Sequence, residues 1–167
     1  MIPDIKSAYG KVTYRKLSDL KTYFSDQKAV EEILKKADPV LYEVYENEVP
    51  KEEEHLTFAT TVLYPGKVGN EFYFTKGHFH FEPDGAEVTI GIQGAGIVLL
   101  QNRENQVKSE PLTPFSVAYS SPGWAHRVVN NSNEKLVFLS ICRADVGHDY
   151  ETIIKKGFVK KILQRKD

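Results

Sequence analysis

Two histidines flank a phenylalanine in the segment TKGHFH, as His78, Phe79 and His80. On a β-strand alternate side chains share a face, so both imidazoles would point one way and Phe79 the other. A turn at Pro83-Asp84-Gly85 follows, and Glu87 opens the next apolar-alternating run. That return stroke can bring a carboxylate back beside the histidine pair. A further histidine, His126, lies at the start of a later strand-like run in SPGWAHRVVN. Three imidazoles and one carboxylate suit one divalent first-row metal ion per chain, with coordination positions left for water or substrate. The single cysteine, Cys142, offers no thiolate site, so a structural zinc site is not expected. His55, in the charged run KEEEH, reads as solvent-exposed. His148, in ADVGHDY, is ambiguous by chemistry alone.

Positioning such a set requires short strands, and the sequence supplies them. VLYEVYENEV alternates, TFATTVLY is β-branched and aromatic, and PGKVGN is a turn. NEFYF, AEVTIGI, GIVLLQN, FSVAYS, AHRVVN and KLVFLSICR follow, with turns at EPDG, QGAG and NSNE. Short strands with frequent turns predict an all-β sandwich or barrel over about residues 40–142 of a single domain spanning 1–167. Ahead of it, Ser25-Asp26 can cap a helix carrying Val30, Ile33, Leu34 and Ala37, stopped by Asp38-Pro39. Residues 1–24 show no clear pattern, and the basic tail KKGFVKKILQRKD could form a short terminal helix.

Composition excludes several classes. With 41% hydrophobic and 27% charged residues in 167, the chain is neither disordered nor membrane-embedded in character. No run approaches the roughly eighteen apolar residues of a spanning helix. The N-terminus lacks the apolar core of a signal peptide. A net charge of −1 speaks against nucleic acid as a partner. A soluble cytoplasmic domain is expected, with neither membrane nor nucleic-acid partners.

The pattern resembles the cupin superfamily, a double-stranded β-helix of jelly-roll type. His78, His80, Glu87 and Gly94 follow its first motif, and Gly123, His126 and Asn130 its second. A closer resemblance is to the cupin-type phosphoglucose isomerases, carried by DPVLYEVY, FATTVLYPGKVGNEFYFTKGHFH, GAGIVLLQ, WAHRVVN and ADVGHDYETI. It implies a homodimeric enzyme that interconverts glucose 6-phosphate and fructose 6-phosphate. One metal, often iron, with manganese, nickel or zinc as alternatives, would be held by His78, His80, Glu87 and His126. Carried over by position, Tyr42, Thr61, Thr75 and the Gly77 backbone N–H would receive the phosphate, while His148 and Tyr150 would line the sugar end. Lys76 could add charge or equally face solvent. The family pattern has tyrosines where this chain has Thr89, Gly123 and Cys142, which implies a larger pocket or a changed sugar preference. Cys142 itself reads as a small buried core residue rather than a nucleophile.

For such an isomerase, Glu87 is the best-placed group to carry a proton between C1 and C2, as ligand, base or both. A direct hydride shift is the rival route. Two other readings fit part of the pattern. A metal-dependent cupin dioxygenase shares the three-His, one-Glu set, and a non-catalytic sugar-phosphate binder would account for the lost tyrosines.

Overall fold

The computed structural model describes residues 10–81 and 85–162. The strands form two facing antiparallel sheets and a short ribbon. In chain order the strands are β1 (Lys11–Lys16), β2 (Val40–Glu46), β3 (Leu56–Leu63), β4 (Lys67–Val68), β5 (Glu71–Phe72), β6 (Glu87–Gln93), β7 (Gly96–Asn102), β8 (Val107–Leu112), β9 (Val117–Ser120), β10 (Trp124–Val129) and β11 (Leu136–Arg143). The larger sheet has the order β1-β2-β3-β11-β6-β9, the smaller β10-β7-β8, and β4-β5 form a short ribbon.

Register decides which side chains meet between the sheets. Across the larger sheet, Thr57 faces Cys142, and Cys142 faces Glu87. These inward positions alternate with an outward row running Phe58, Ile141, Val88 and Tyr119. A slip of one residue in any strand would exchange the two faces. The inward apolar residues Leu63, Leu136 and Phe138 meet Val98, Leu100, Leu112 and Val128 of the smaller sheet in one core.

Three short α-helices flank the sheets: α1 (Leu17–Leu20), α2 (Gln27–Leu34) and α3 (Tyr150–Lys156), with a 3-10 turn at Lys21–Tyr23. Asp26 caps α2 by accepting the Ala29 N–H at 2.9 Å, and Val30 is buried beneath it. Asp149 caps α3 in the same way through Thr152, and Ile153 packs with Phe79, Leu99, Ala125 and Phe158 in a second apolar cluster. No helix of the described residues is long and apolar enough to cross a membrane.

The expected strands and the capped helix are present, with ends shifted by a few residues. The larger sheet also takes in β1, from the stretch where no pattern was expected, and the smaller sheet β8, where Pro111 and a scatter of polar residues hide the alternation. The expected C-terminal helix is displaced: α3 ends at Lys156, before most of the basic tail, because Gly157 adopts φ 69°. Residues 163–167 of that tail, and Glu82, Pro83 and Asp84 of the expected turn, lie outside the described residues. The run at 51–55 is a loop, in which His55 is only partly exposed and lies 3.9 Å from Glu52. Asn130 of the second motif is structural: fully buried, it donates to the Leu63 and Glu134 carbonyls and accepts from Ser132.

Candidate metal centre and adjoining cavity

His78, Phe79 and His80 do not form a regular strand. They are held by isolated bridges on both sides, His78 to His126 and Phe79 to Asp149. The alternation is nevertheless that of a strand. Phe79 is 2% exposed in the second apolar cluster, and the two imidazoles turn to the opposite side. Glu87, at the start of β6, arrives from the facing sheet, and His126 comes from β10. One donor atom from each of His78, His80, Glu87 and His126 lies within 4.8 Å of all the others. Glu87 Oε2 is 3.1 Å from His126 Nε2 and 3.7 Å from His80 Nε2.

Buried polar atoms are ordinarily hydrogen-bonded. Here the Nε2 atoms of His78, His80 and His126 are buried and have no hydrogen-bond partner among the described residues; the close His126–Glu87 approach lacks hydrogen-bond alignment. Nitrogen lone pairs converging on a carboxylate with nothing to bind them suit a divalent cation. The charges agree. Burial pushes the His78 imidazole well below its ordinary pKa, with His126 and His148 adding to the effect. Burial alone would raise Glu87, but His126, His80 and His78 together hold it well below the usual carboxylate range. Burial opposes a charged His126, and Glu87 outweighs it, so His126 is raised.

The centre opens on a cavity of about 340 Å³. Its wall includes His78, Glu87 and His126, with His80 set behind them. The other residues singled out from the sequence, Tyr42, Thr61, Thr75, Gly77, His148 and Tyr150, all line the same cavity. His148 stacks edge-on against His78 with ring centroids 4.2 Å apart, and Tyr150 lies 5.3 Å from the His78 ring. Burial lowers the His148 pKa and raises that of Tyr150, so both are neutral near pH 7.

The segment 75–77 is tied down from several directions. The Tyr42 hydroxyl accepts the Lys76 N–H at 3.3 Å, and Thr75 Oγ1 accepts the Val128 N–H at 3.1 Å. Arg127 Nη2 donates to the Lys76 carbonyl at 2.8 Å. A trans peptide sends its N–H opposite its carbonyl, so the Gly77 N–H leaves on the side away from Arg127. Gly77 itself has φ +71°, and a Cβ there would meet the His126 carbonyl at 2.9 Å and the Phe158 ring at 2.7 Å. Arg127 is buried against the faces of Phe74 and Phe158, and that burial brings its pKa down to about 10.

Where the family pattern has tyrosines, the structure places Cys142 on the cavity wall opposite Glu87, and Thr89 two residues along the same strand face from Glu87. A Cβ at Gly123, where φ is +76°, would meet nothing within 4 Å. Sequence reasoning passed over Lys11, Thr13, Arg15 and Glu46, which also line the cavity. The available signal was the alternation in KVTYRK, with Val12 and Tyr14 exposed between them.

A family described as glucose-6-phosphate isomerase matches residues 14–166. The chain is 54% identical to the glucose-6-phosphate isomerase of Thermococcus kodakarensis, over 93% of this chain and 82% of that one. It is 51% identical to that of Pyrococcus furiosus over the same shares, and 37% identical to that of Sinorhizobium medicae over 86% and 67%. Among solved structures, an oxalate oxidase aligns with TM-score 0.55 at 14% identity, covering 68% of this chain and 56% of that one. The oxalate decarboxylase of Lactobacillus farciminis aligns with TM-score 0.51 at 17% identity, over 65% and 30%. These structural likenesses show the fold, a cupin β-barrel.

Proposed function

This chain belongs to the glucose-6-phosphate isomerase family, and on that premise we propose that it interconverts glucose 6-phosphate and fructose 6-phosphate at the His78–His80–Glu87–His126 centre. The observation that carries the assignment of the site is a single cavity that joins unsatisfied imidazoles and a buried carboxylate to the Tyr42, Thr61, Thr75 and Gly77 wall. A divalent ion, which we take to be iron(II), one per chain, would supply Lewis acidity toward the sugar oxygens when bound.

The protein's own groups divide the remaining work. Tyr42, Thr61, Thr75 and the Gly77 N–H receive the phosphate and fix the far end of the sugar. His148 and Tyr150 hold the reacting end; a neutral imidazole can accept at one ring nitrogen and donate at the other, which suits proton movement between O1 and O2. Glu87 carries the proton between C1 and C2. Its carboxylate stays ionised, and Oε1 accepts only a long hydrogen bond from Thr89 Oγ1 at 3.5 Å.

We assign the enzyme to the cytoplasm as a homodimer. The dimer is supported by the outward face of the larger sheet, where Phe58, Ile141, Val88 and Tyr119 form one row and Tyr14, Leu56 and Val117 are at least half exposed around it. An apolar face of this kind marks an interaction surface. Light scattering should give twice the chain mass, and Tyr119→Lys should shift it toward the monomer.

A coupled assay on iron-loaded protein with fructose 6-phosphate tests the function. Formation of glucose 6-phosphate is the expected result. Tight fructose 6-phosphate binding without turnover would instead make this a non-catalytic sugar-phosphate binder.

A further inference from the structure

The chain's near-neutral charge leaves a dianion to be met by local groups, and the cavity wall contains cations that the isomerase reading above has not used. β1 pairs with β2 so that Arg15 stands opposite Tyr42, on the same face. Lys11, Thr13 and Arg15 therefore line the cavity while Val12 and Tyr14 point out, 37% and 50% exposed. Lys76 reaches the same cavity from the segment that Tyr42 and Arg127 tie down.

The cations around the cavity are not alike. Lys11 pairs with Glu46 at 3.4 Å, and Arg127 spends an N–H on the Lys76 carbonyl. The Arg15 guanidinium and the Lys76 ammonium have no hydrogen bond or ion pair with any described residue. The nearby carboxylates are occupied elsewhere. Asp19 accepts the Lys16 N–H at 2.9 Å, Glu46 holds Lys11, and Glu87 lies among the imidazoles. Two like charges thus share one wall, and neither has a carboxylate within ion-pair distance among the described residues. An anion entering the cavity would relieve that repulsion.

We propose that Arg15, with Lys76 beside it, is the cationic anchor of the phosphate site. Arg15 brings a planar fork of N–H donors that matches phosphate oxygens in pairs, and Lys76 adds a point charge. Tyr42, adjacent to both, orients the dianion rather than neutralising it. The inference rests on the isomerase reading for the identity of the bound phosphate, but not for its existence.

Calorimetry with inorganic phosphate on the metal-loaded full chain tests it, alongside KM and kcat for fructose 6-phosphate. Arg15→Met should weaken phosphate binding about tenfold or more, the range for losing hydrogen bonds to a charged group, and should raise KM by more than it lowers kcat. Arg15→Lys should recover part of the loss, since charge returns without the fork. Lys76→Met should weaken phosphate binding by a smaller factor and flatten its dependence on salt. Metal content should be unchanged in all three variants. Phosphate affinity within twofold of the parent in both Arg15→Met and Lys76→Met would overturn the anchor while leaving the isomerase reading intact. Arg15-dependent phosphate binding by a protein without isomerase turnover would support the anchor and overturn that reading. Failure of the unaltered protein to bind phosphate would overturn both.

Discussion

His78 and His126 exchange backbone hydrogen bonds, the His78 N–H to the His126 carbonyl at 3.3 Å and the reverse at 3.2 Å. The bridge fixes two proposed ligands from distant parts of the chain in one register, independently of their side chains. Their rings stand 4.4 Å apart, nearly edge to face, as a consequence. His126→Ala should therefore leave the strand pairing and the far-ultraviolet circular dichroism intact. It should lower metal affinity by at least about a hundredfold, the upper range for disturbing even an indirect partner of a metal ligand. Elemental analysis after dialysis against iron checks this; full occupancy in the variant would remove His126 from the ligand set.

The same bridge explains the demand at Gly77. An L-residue at φ +71° costs on the order of 1–2 kcal/mol, and its Cβ would press on the His126 carbonyl that makes the bridge. For a domain of this size each kcal/mol corresponds to about 2–4 °C in Tm. Gly77→Ala should lower the melting temperature by several degrees and raise the KM for fructose 6-phosphate. A thermal melt and a kinetic series check both, and unchanged values in both would mean the loop relaxes freely.

Thr75 has two tasks that one substitution separates. Its oxygen accepts the Val128 N–H at 3.1 Å, which leaves the hydroxyl proton free to be donated into the cavity. Thr75→Val loses both bonds, and losing a hydrogen bond to a dianion costs roughly 1.5–3 kcal/mol, so fructose 6-phosphate binding should weaken about tenfold or more. Thr75→Ser should bind nearly as the parent does. Equal calorimetric affinity in the parent and Thr75→Val would exclude the hydroxyl from the phosphate site.

Much of this site could be read before any coordinates. The alternation in HFH, the return at Glu87 and the strand start at His126 each follow from a side-chain period of two, and the structure brings all four together as that period requires. Arg15 was hidden for a physical reason. It lies on a short edge strand whose outward residues, Val12 and Tyr14, are apolar and exposed while the inward Lys11, Thr13 and Arg15 are polar. The usual inside-outside pattern is reversed because the inward face lines a polar cavity. Glu46 was hidden similarly, as one of several acids at and beyond the end of β2.

Cys142 gives a pH-dependent prediction. The thiol is 8% exposed, and burial, reinforced by Glu87, pushes it from an ordinary value of 9.0 up to about 12. Only the thiolate reacts quickly, so the folded protein should resist a thiol reagent at pH 8 and react once unfolded in denaturant. The folded state keeps its proton to higher pH than the unfolded chain does. Its stabilising effect is therefore complete below about pH 9 and is lost as the pH climbs toward about 12. Rapid labelling of the native protein at pH 8 would show that the side chain is accessible and ionised.

Glu87 is the harder case, because the environment that makes it a ligand also weakens it as a base. Three neighbouring imidazoles hold its pKa well below the ordinary range, and Oε2 faces two of them. The structure also adds a rival carboxylate, Glu46, which lines the same cavity but is engaged with Lys11 at 3.4 Å. Glu87→Gln keeps the shape and an oxygen donor while removing the basic group. If Glu87 is only a ligand, the variant should lose metal affinity, and turnover should recover once metal occupancy is restored. If it is also the base, turnover at full occupancy should remain about 10²–10⁴-fold low, the usual worth of a positioned base. The second outcome is expected, since Glu87 alone among the cavity carboxylates sits within the imidazole cluster where the reacting carbons would lie. Glu46→Gln, measured beside it, should change turnover far less. Near-parental turnover of metal-saturated Glu87→Gln would favour the hydride shift, and a large loss in Glu46→Gln instead would move the base to the cavity mouth.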